Sequence, residues 1–276
     1  MNKRQSFIEL SARARARLLL DEGSFRELLG PFDQIESPWL EPQGITPQSD
    51  DGMVIAKGTI NGKPTVIAAI EGNFQGGSMG EVSGAKMASA IELAAEDNRQ
   101  GKTTQVVLIL ETGGVRLQEA NLGLAAIADI HAAIVDARRY VPVIGVIAGT
   151  VGCFGGMSIA AGLCSKLIVT REARLGLNGP QVIEQEAGIS EYDSRDRPFI
   201  WSMTGGDVRA HTGFADKFVT DSQAEIISAV NTFIDEGLPT SNRSDRYSDY
   251  LNKFAQYDGQ QIDGQSVKAL FQQEEC

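Results

Sequence analysis

Short apolar runs alternate with longer segments of helical periodicity along this chain, and that pattern predicts an α/β fold. Residues 65–70, 106–110 and 141–148 are almost entirely apolar, as is typical of strands buried on both faces. Residues 81–98 instead carry apolar side chains at helical spacing. Strands that alternate with helices predict a sheet with crossover helices. The pair Asn61-Gly62 also predicts a tight turn of a hairpin before the second strand.

Three glycine-rich bends follow predicted strands, at residues 72–80, 113–114 and 149–156. A helical pattern follows each bend, so we expect these glycines at helix N-termini, where backbone N–H groups are unpaired and the helix dipole favours negative charge. Glycine also lets a ligand approach the backbone closely. A tight turn with no ligand would need glycine as well. After the second bend we expect one helix face to carry Leu117, Leu124, Ile127 and Ile134.

Composition excludes several classes of protein. With 276 residues and 42% hydrophobic content, the chain can form one large core or two small ones. The three cysteines form no CxxC pair and have no histidine at ligand spacing, so we expect neither disulfides nor a metal site. Cys153 is expected to be a small buried hydrophobic residue.

The cysteine usage fits a reducing cytoplasm, and charge and hydropathy are consistent with it. The net charge of −11 argues against a nucleic-acid surface. No apolar run reaches the length of a membrane span, and arginines interrupt the first 20 residues where a signal peptide would be apolar. We therefore expect cytoplasmic localisation, without nucleic-acid or membrane partners.

We expect three regions along the chain. Residues 1–50 form an N-terminal helical segment, with one or two helices over 6–29, followed by a proline-rich linker. Residues 51–237 form the main domain, and residues 238–276 a polar, loosely attached C-terminal tail with a short helix at 266–272. The N-terminal arginines Arg13, Arg15 and Arg17 fit either a solvated helix face or a surface for phosphates or an acidic carrier protein.

Residues 76–80 match GxSxG on a strand-to-helix turn, the pattern of the nucleophile elbow in α/β-hydrolases. A serine hydrolase with Ser78 as nucleophile is therefore one alternative. It would need a histidine partner, and only His131 and His211 exist. His131 is expected on the apolar side of its helix, as a core or interface residue. No bend matches GxGxxG or the P-loop, so nucleotide binding is not supported.

Four segments together resemble the acyl-CoA carboxyltransferase family. Residues 12–28 resemble its opening helix and loop, residues 72–80 and 111–119 its next two motifs, and residues 149–156 its last glycine element. Order and spacing agree over residues 12 to 220. Within the family, the chain most resembles the β subunits of malonate decarboxylases. It lacks the zinc-ribbon cysteines that the bacterial acetyl-CoA carboxylase β subunit carries at its N-terminus. One departure is Thr112, because the usual Ser-Gly-Gly-Ala-Arg is here Thr-Gly-Gly-Val-Arg.

The resemblance implies a crotonase-like (ClpP/crotonase) α/β fold of repeated ββα units. It implies decarboxylation of a malonyl thioester carried by an acyl-carrier protein, to give the acetyl thioester. The implied partners are a related γ subunit, the acyl-carrier protein and an acyl-carrier-protein transferase subunit. No cofactor is expected on this chain, and the thioester is implied to sit on the phosphoribosyl-dephospho-CoA group of the carrier. Transfer of the carboxyl group to biotin, as in biotin-dependent malonate decarboxylase or acetyl-CoA carboxylase, is the main alternative, and a non-catalytic scaffold is another.

Loss of CO₂ from a malonyl thioester leaves an enolate, whose oxygen two backbone N–H groups can stabilise without an acid, base or metal. Gly113 and Gly114 are the favoured donors, by the resemblance and by their expected place at a helix start. Gly155 and Gly156 are the second pair, one unit later. Substrate-binding positions are expected in the first and second motifs, at Gly76, Gly77, Ser78 and Arg116.

Overall fold

The computed structural model describes residues 5–47, 52–256, 258 and 264–272. Cys276 and parts of the predicted linker and tail lie outside these residues. The strands are β1 (Arg26–Leu29), β2 (Met53–Ile60), β3 (Lys63–Ile70), β4 (Gln105–Ile109), β5 (Val143–Ile147), β6 (Lys166–Thr170) and β7 (Lys217–Val219). The helices are α1 (Ala12–Leu19), α2 (Glu81–Arg99), α3 (Asn121–Ala137), α4 (Gly156–Leu163), α5 (Pro180–Ala187), α6 (Arg197–Thr204), α7 (Gly206–His211), α8 (Gln223–Glu236), α9 (Tyr247–Phe254) and α10 (Gly264–Gln272).

The seven strands form one sheet in chain order, from β1 to β7. The first three strands are antiparallel, and β3 to β7 are parallel. The predicted hairpin is confirmed, since β2 and β3 are joined by Asn61 and Gly62, both with positive φ as a two-residue hairpin turn requires. Successive crossover helices α2 and α3 follow β3 and β4. The parallel part of the sheet therefore places the ends of β3, β4, β5 and β6 along one edge.

Alternate residues of the buried strands face two apolar layers. In β4, Val106 and Leu108 pack with helices α2, α3 and α4, whereas Val107 and Ile109 pack with α1 and α8. Both sets are almost fully buried, which explains why these strands have continuous apolar sequences. The sheet is thus the middle layer between two layers of helices. The glycine bends lie between its strands and the helices α2, α3 and α4.

Two expectations for the ends of the chain are wrong. Residues 26–29 are not helical but form β1, because they pair with the otherwise open edge of β2. Such tertiary pairing overrides local helical preference. The first part of the C-terminal tail is not loosely attached, because Arg243 is buried, is ion-paired with Asp216 and donates to the carbonyl of Gly162. The predicted short helix near the C-terminus is confirmed as α10.

Candidate functional site

The three glycine bends lie side by side beyond the ends of β3, β4 and β5. Single bridges join them in a second, smaller ladder, with Met79 paired to Val115, Thr112 to Cys153, and Cys153 to Leu175. Each repeating unit therefore has a sheet strand, a bridge segment and a helix. The bridge segment takes the place of the second strand in a ββα unit.

The first bend, residues 72–80, packs directly against the end of β4. Gly76 and Gly77 both have positive φ, and a Cβ at Gly77 would overlap the carbonyl oxygen of Glu111. The carbonyl of Gly76 accepts a hydrogen bond from the N–H of Gly113, at 2.8 Å. Glycine is therefore needed here for close contact between two loops, and these two residues have a structural function in addition to the predicted substrate binding.

Arg116 turns inward and ties the second bend to the first. Its guanidinium donates to the Ser78 hydroxyl at 3.2 Å, to the Ser78 carbonyl at 3.0 Å and to Glu119 at 2.9 Å. The carboxylate of Glu119 also accepts the N–H of Glu81, at the start of α2, at 2.7 Å. Arg116 and Glu119 are both buried. Ser78 and Arg116, predicted as substrate-binding residues, thus contact each other in a buried network.

Glu111 lies at the centre of all three bends. Its carboxylate would overlap a Cβ placed at Gly149, and its Cγ would lie 2.8 Å from one placed at Gly72, which is closer than normal contact. Arg15 of α1 forms a buried ion pair with Glu111 and donates to the carbonyl of Phe7 at 3.1 Å. Arg15 therefore lies neither on a solvated helix face nor on a surface for phosphates or a carrier protein, the two alternatives expected for the N-terminal arginines. It is a core residue, because a buried carboxylate needs a paired cation.

The second bend does not lie at a helix N-terminus, contrary to expectation. A bridge residue and a 3-10 turn (Leu117–Glu119) follow Gly114, and α3 begins only at Asn121. Because α3 begins later than expected, Leu117 and Leu124 are exposed, by 81% and 52%. Both were expected on the same helix face as Ile127. The dipole of α3 therefore does not act at Gly113 and Gly114.

Three of the four glycines predicted as oxyanion donors already use their N–H groups. Gly113 donates to the carbonyl of Gly76 at 2.8 Å, Gly114 to the Thr112 hydroxyl at 3.0 Å, and Gly155 to the carbonyl of Leu177 at 2.7 Å. Such a donor would have to exchange its acceptor for a substrate oxygen. Thr112 provides the same hydroxyl as the serine usual at this position.

Gly156 differs from the other three glycines. It is the first residue of α4, and Gly155 before it has φ of +60°. Within the described part of the chain, no hydrogen bond occupies the Gly156 N–H. An unpaired N–H in the first turn of a helix is where the helix dipole strengthens an interaction with negative charge. Only this member of the predicted set combines a helix N-terminus with an available donor.

Val115 supplies a second available N–H, and it is not among the donors that the sequence predicts. Met79 donates to the carbonyl of Gly114, and Arg116 donates to the carbonyl of Met79, both at 2.8 Å. Because N–H direction alternates along an extended segment, the N–H of Val115 points away from Met79. A Cβ built on Gly155 would lie 3.8 Å from this nitrogen, and the hydrogen bonds among described residues leave it unoccupied. The Val115 nitrogen therefore faces the third bend.

Neither histidine forms a catalytic pair with Ser78. The Nε2 of His131 lies 2.8 Å from the carbonyl of Gly156, and His211 lies beside Asp207 on α7. Ser78 instead accepts from Arg116. The expectation of a buried Cys153 is confirmed; burial raises the pKa of its thiol well above the ordinary value, so it stays protonated at neutral pH. Ser78 and the two histidines thus do not form the catalytic triad of a serine hydrolase.

Among the described residues, no group of three or more His, Cys, Asp or Glu side chains is arranged to hold a metal ion. Across the same residues, no helix has the length and apolar character to cross a membrane.

The fold and the bends define a carboxyltransferase domain. Residues 9–261 match the carboxyl transferase domain family, and the chain belongs to that family. A chain of the transcarboxylase 12S hexamer is 28% identical, with a TM-score of 0.66 over 80% of this chain and 40% of that one. The predicted crotonase-like fold is confirmed by these structural neighbours.

More similar relatives are named for reactions of malonate or of a malonyl thioester. A chain of a Pseudomonas malonate decarboxylase hetero-tetramer, crystallised with malonate, is 65% identical, with a TM-score of 0.91 and 97% of both chains covered. A chain of the Pseudomonas MdcD–MdcE hetero-dimer is 58% identical over 91% of this chain and 97% of that one, with a TM-score of 0.78. The malonyl-S-ACP:biotin-protein carboxyltransferase MADC of Malonomonas rubra is 44% identical over 79% of this chain and 72% of its own length.

Proposed function

We propose that this chain is the β subunit of a malonate decarboxylase, which converts a malonyl thioester on an acyl-carrier protein to the acetyl thioester. The bond between Cα and the carboxylate carbon breaks, CO₂ leaves, and the electron pair moves onto the thioester to form an enolate. A proton then adds to Cα. The similarity to the malonate decarboxylase subunits supports this reaction.

The observation that carries the proposal is the pair of open donors at the third bend. The Gly156 N–H lies at the N-terminus of α4, and the Val115 N–H faces the same bend. Negative charge on the thioester oxygen grows as CO₂ leaves, so donors held in place stabilise the transition state more than the ground state. Gly113, Gly114 and Gly155 then hold these donors in position through their own hydrogen bonds.

We further propose that the site is completed by a second, related subunit, the γ subunit. Three large apolar side chains next to the bends are exposed, at Leu117, Leu124 and Ile159. Exposed apolar groups that border a site are typical of surfaces that a partner covers. The open N–H groups stabilise an enolate but cannot supply its proton, so that proton would come from the partner or from the solvent that it admits. An obligate interface of this kind buries more than about 2,000 Å².

An acyl-carrier protein and its transferase subunit complete the proposed assembly. The carrier would present the thioester on its phosphoribosyl-dephospho-CoA group, and this chain would bind no cofactor of its own. The name of the curated relative, a malonyl-S-ACP carboxyltransferase, supports a carrier-bound substrate.

Transfer of the carboxyl group to a biotin protein is the second candidate function, because the Malonomonas rubra relative carries out that reaction by name. The two functions share the enolate and the same donors. They differ only in whether the carboxyl group leaves as CO₂ or is captured by biotin.

The experiment compares this chain alone, the γ subunit alone and their mixture, with malonyl-carrier protein as substrate and with avidin present or absent. We expect acetyl thioester and CO₂ from the mixture only, at rates that avidin does not change. Full activity from the lone chain would refute the shared site. If acetyl thioester forms only with an added biotin protein, which retains the carboxyl group, and avidin abolishes the reaction, the chain is a carboxyltransferase instead.

A further inference from the structure

The N–H of Gly156 belongs to the peptide group whose carbonyl is that of Gly155. That carbonyl accepts two hydrogen bonds from one residue of α4. The Ser158 hydroxyl donates to it at 2.7 Å, and the Ser158 N–H donates to it at 3.0 Å. One side chain therefore contacts the oxygen of the same peptide that presents its N–H to the proposed site.

We propose that Ser158 is a positioning residue, whose hydroxyl holds and polarises the Gly155–Gly156 peptide so that its N–H stabilises the enolate. This inference rests on the proposed function. A hydrogen bond to the carbonyl of a peptide strengthens the hydrogen bond that its N–H can donate, because linked hydrogen bonds polarise one another. The hydroxyl donates to the Gly155 carbonyl, so in this proposal its effect passes through the backbone.

The conformation of the Gly155–Gly156 peptide also requires hydrogen bonds to hold it in place. Gly155 has a φ of +60° and a ψ of −147°, outside the helical region, and is the residue directly before α4. The Gly155 N–H is held by the carbonyl of Leu177 at 2.7 Å, and the carbonyl of Gly156 lies 2.8 Å from His131 Nε2. A carbonyl only accepts, so this Nε2 carries the hydrogen. Ser158 fixes the peptide between those two contacts.

A serine or threonine hydroxyl often bonds to a carbonyl one turn earlier in a helix with no functional consequence. The chain contains a control for that case. Thr232 of α8 donates to the carbonyl of Ser228 at 2.8 Å, on an exposed surface. Helix α8 packs on the other face of the sheet from α4. Removing the hydroxyl of Thr232 therefore removes the same type of bond far from the bends.

The test uses the complex with the γ subunit and malonyl-carrier protein, and compares Ser158→Thr with Ser158→Val. The two side chains have the same shape, but only threonine retains a hydroxyl that can reach a carbonyl three residues earlier. We expect Ser158→Val to lower kcat about three- to tenfold. The KM should stay within about twofold, because a contribution confined to the transition state lowers kcat alone. Ser158→Thr and Thr232→Val should keep the kcat of the wild type.

Unfolding midpoints and the mass of each complex show whether the variants fold and assemble. If Ser158→Val does not assemble, Ser158→Ala replaces it, with the same expected loss. Wild-type kcat in the hydroxyl-free variant, or an equal loss in Ser158→Thr or Thr232→Val, overturns the role of Ser158 while leaving the proposed function intact. A wild-type complex that forms no acetyl thioester overturns both.

Discussion

The junction between the first and second bends and the junction between the second and third are built differently. At the first, backbone hydrogen bonds join Gly113 to Gly76 and Met79 to Gly114, and the buried pair of Arg116 and Glu119 closes the space beside them. At the second, Thr112 bonds to the third bend on both sides, donating to Gly152 and accepting from Phe154. The pairing between these two bends then ends, and no hydrogen bond among the described residues occupies the N–H groups of Val115 and Gly156.

The two junctions therefore suit different roles, structural support at the first and a candidate catalytic site at the second. A buried charged network is costly unless every member is paired, and it fixes geometry when it is paired. The first junction therefore suits a rigid support. The second suits a site, because unpaired N–H groups in a partly buried place are retained where a ligand uses them. Substitutions in the two junctions should accordingly affect different properties, stability in one and turnover in the other.

The largest effect on stability is expected from Arg116→Met, which leaves Glu119 buried without its cation. Removing one partner of a buried ion pair costs about 3–5 kcal/mol. Denaturant unfolding of the variant measures this loss. Arg99→Met is the control, since Arg99 pairs with Glu96 and Asp136 on the surface, where screening by solvent leaves ion pairs little effect on stability. Equal losses in the two variants would contradict the supporting role of Arg116.

The largest effect on turnover is expected from Gly156→Pro, which deletes the proposed donor. Proline is well tolerated at the first position of a helix. A Cβ here would lie 2.8 Å from the Ile127 side chain, so both test and control carry Ile127→Ala. In that background, Gly156→Ala keeps the N–H and Gly156→Pro lacks it. We expect kcat of the proline variant to be about 10²–10³-fold lower than that of the alanine variant.

Unfolding curves of both double variants control for stability, since Ile127→Ala alone removes a buried side chain. If the proline and alanine variants turn over malonyl thioester equally fast, Gly156 is not an oxyanion donor.

An intermediate effect is expected at Thr112, which lies between the two junctions. Its hydroxyl accepts the buried N–H of Gly114 at 3.0 Å. Thr112→Val would leave that N–H without an acceptor, at a cost of about 1–3 kcal/mol. Thr112→Ser keeps the hydroxyl and should retain nearly all of the stability. Thermal unfolding of both variants tests this, and a valine variant as stable as the serine variant would show that this hydrogen bond is dispensable.

The strands and the bends could be predicted from local sequence because their signals are local. Continuous apolar runs predict β4 and β5, and the Asn61-Gly62 pair predicts the hairpin turn. The start of α3 could not be predicted, because the extended residues after Gly114 are held by pairing with Met79, 36 residues earlier. The burial of Arg15 depends likewise on a carboxylate 96 residues away. No local signal distinguishes such an arginine from a solvated one.

The site was only partly predictable for the same reason. Gly156 belongs to the second pair of predicted donors, because both pairs are expected at helix starts and the resemblance favours Gly113 and Gly114. The choice depends on where each helix begins and on which acceptors already occupy the other N–H groups. Val115 carries no signal of its own, because the direction of its N–H follows from the register of its neighbours with Met79.

The smallest effect is expected from Ser78→Ala. This variant tests whether the Ser78 hydroxyl supports the first junction or acts as a nucleophile. The hydroxyl accepts one hydrogen bond of 3.2 Å from Arg116, and the Ser78 carbonyl keeps the 3.0 Å bond when the hydroxyl is removed. Loss of one such bond costs about 1 kcal/mol, so activity of the assembled enzyme should stay within about tenfold. Loss of a true nucleophile lowers turnover by several orders of magnitude. The measurement is kcat on malonyl thioester, combined with mass spectrometry of the wild-type chain after rapid quenching. A collapse of activity in the alanine variant, together with a covalent adduct on Ser78 in the wild type, would restore the hydrolase interpretation and would place the chemistry at the first bend rather than the third.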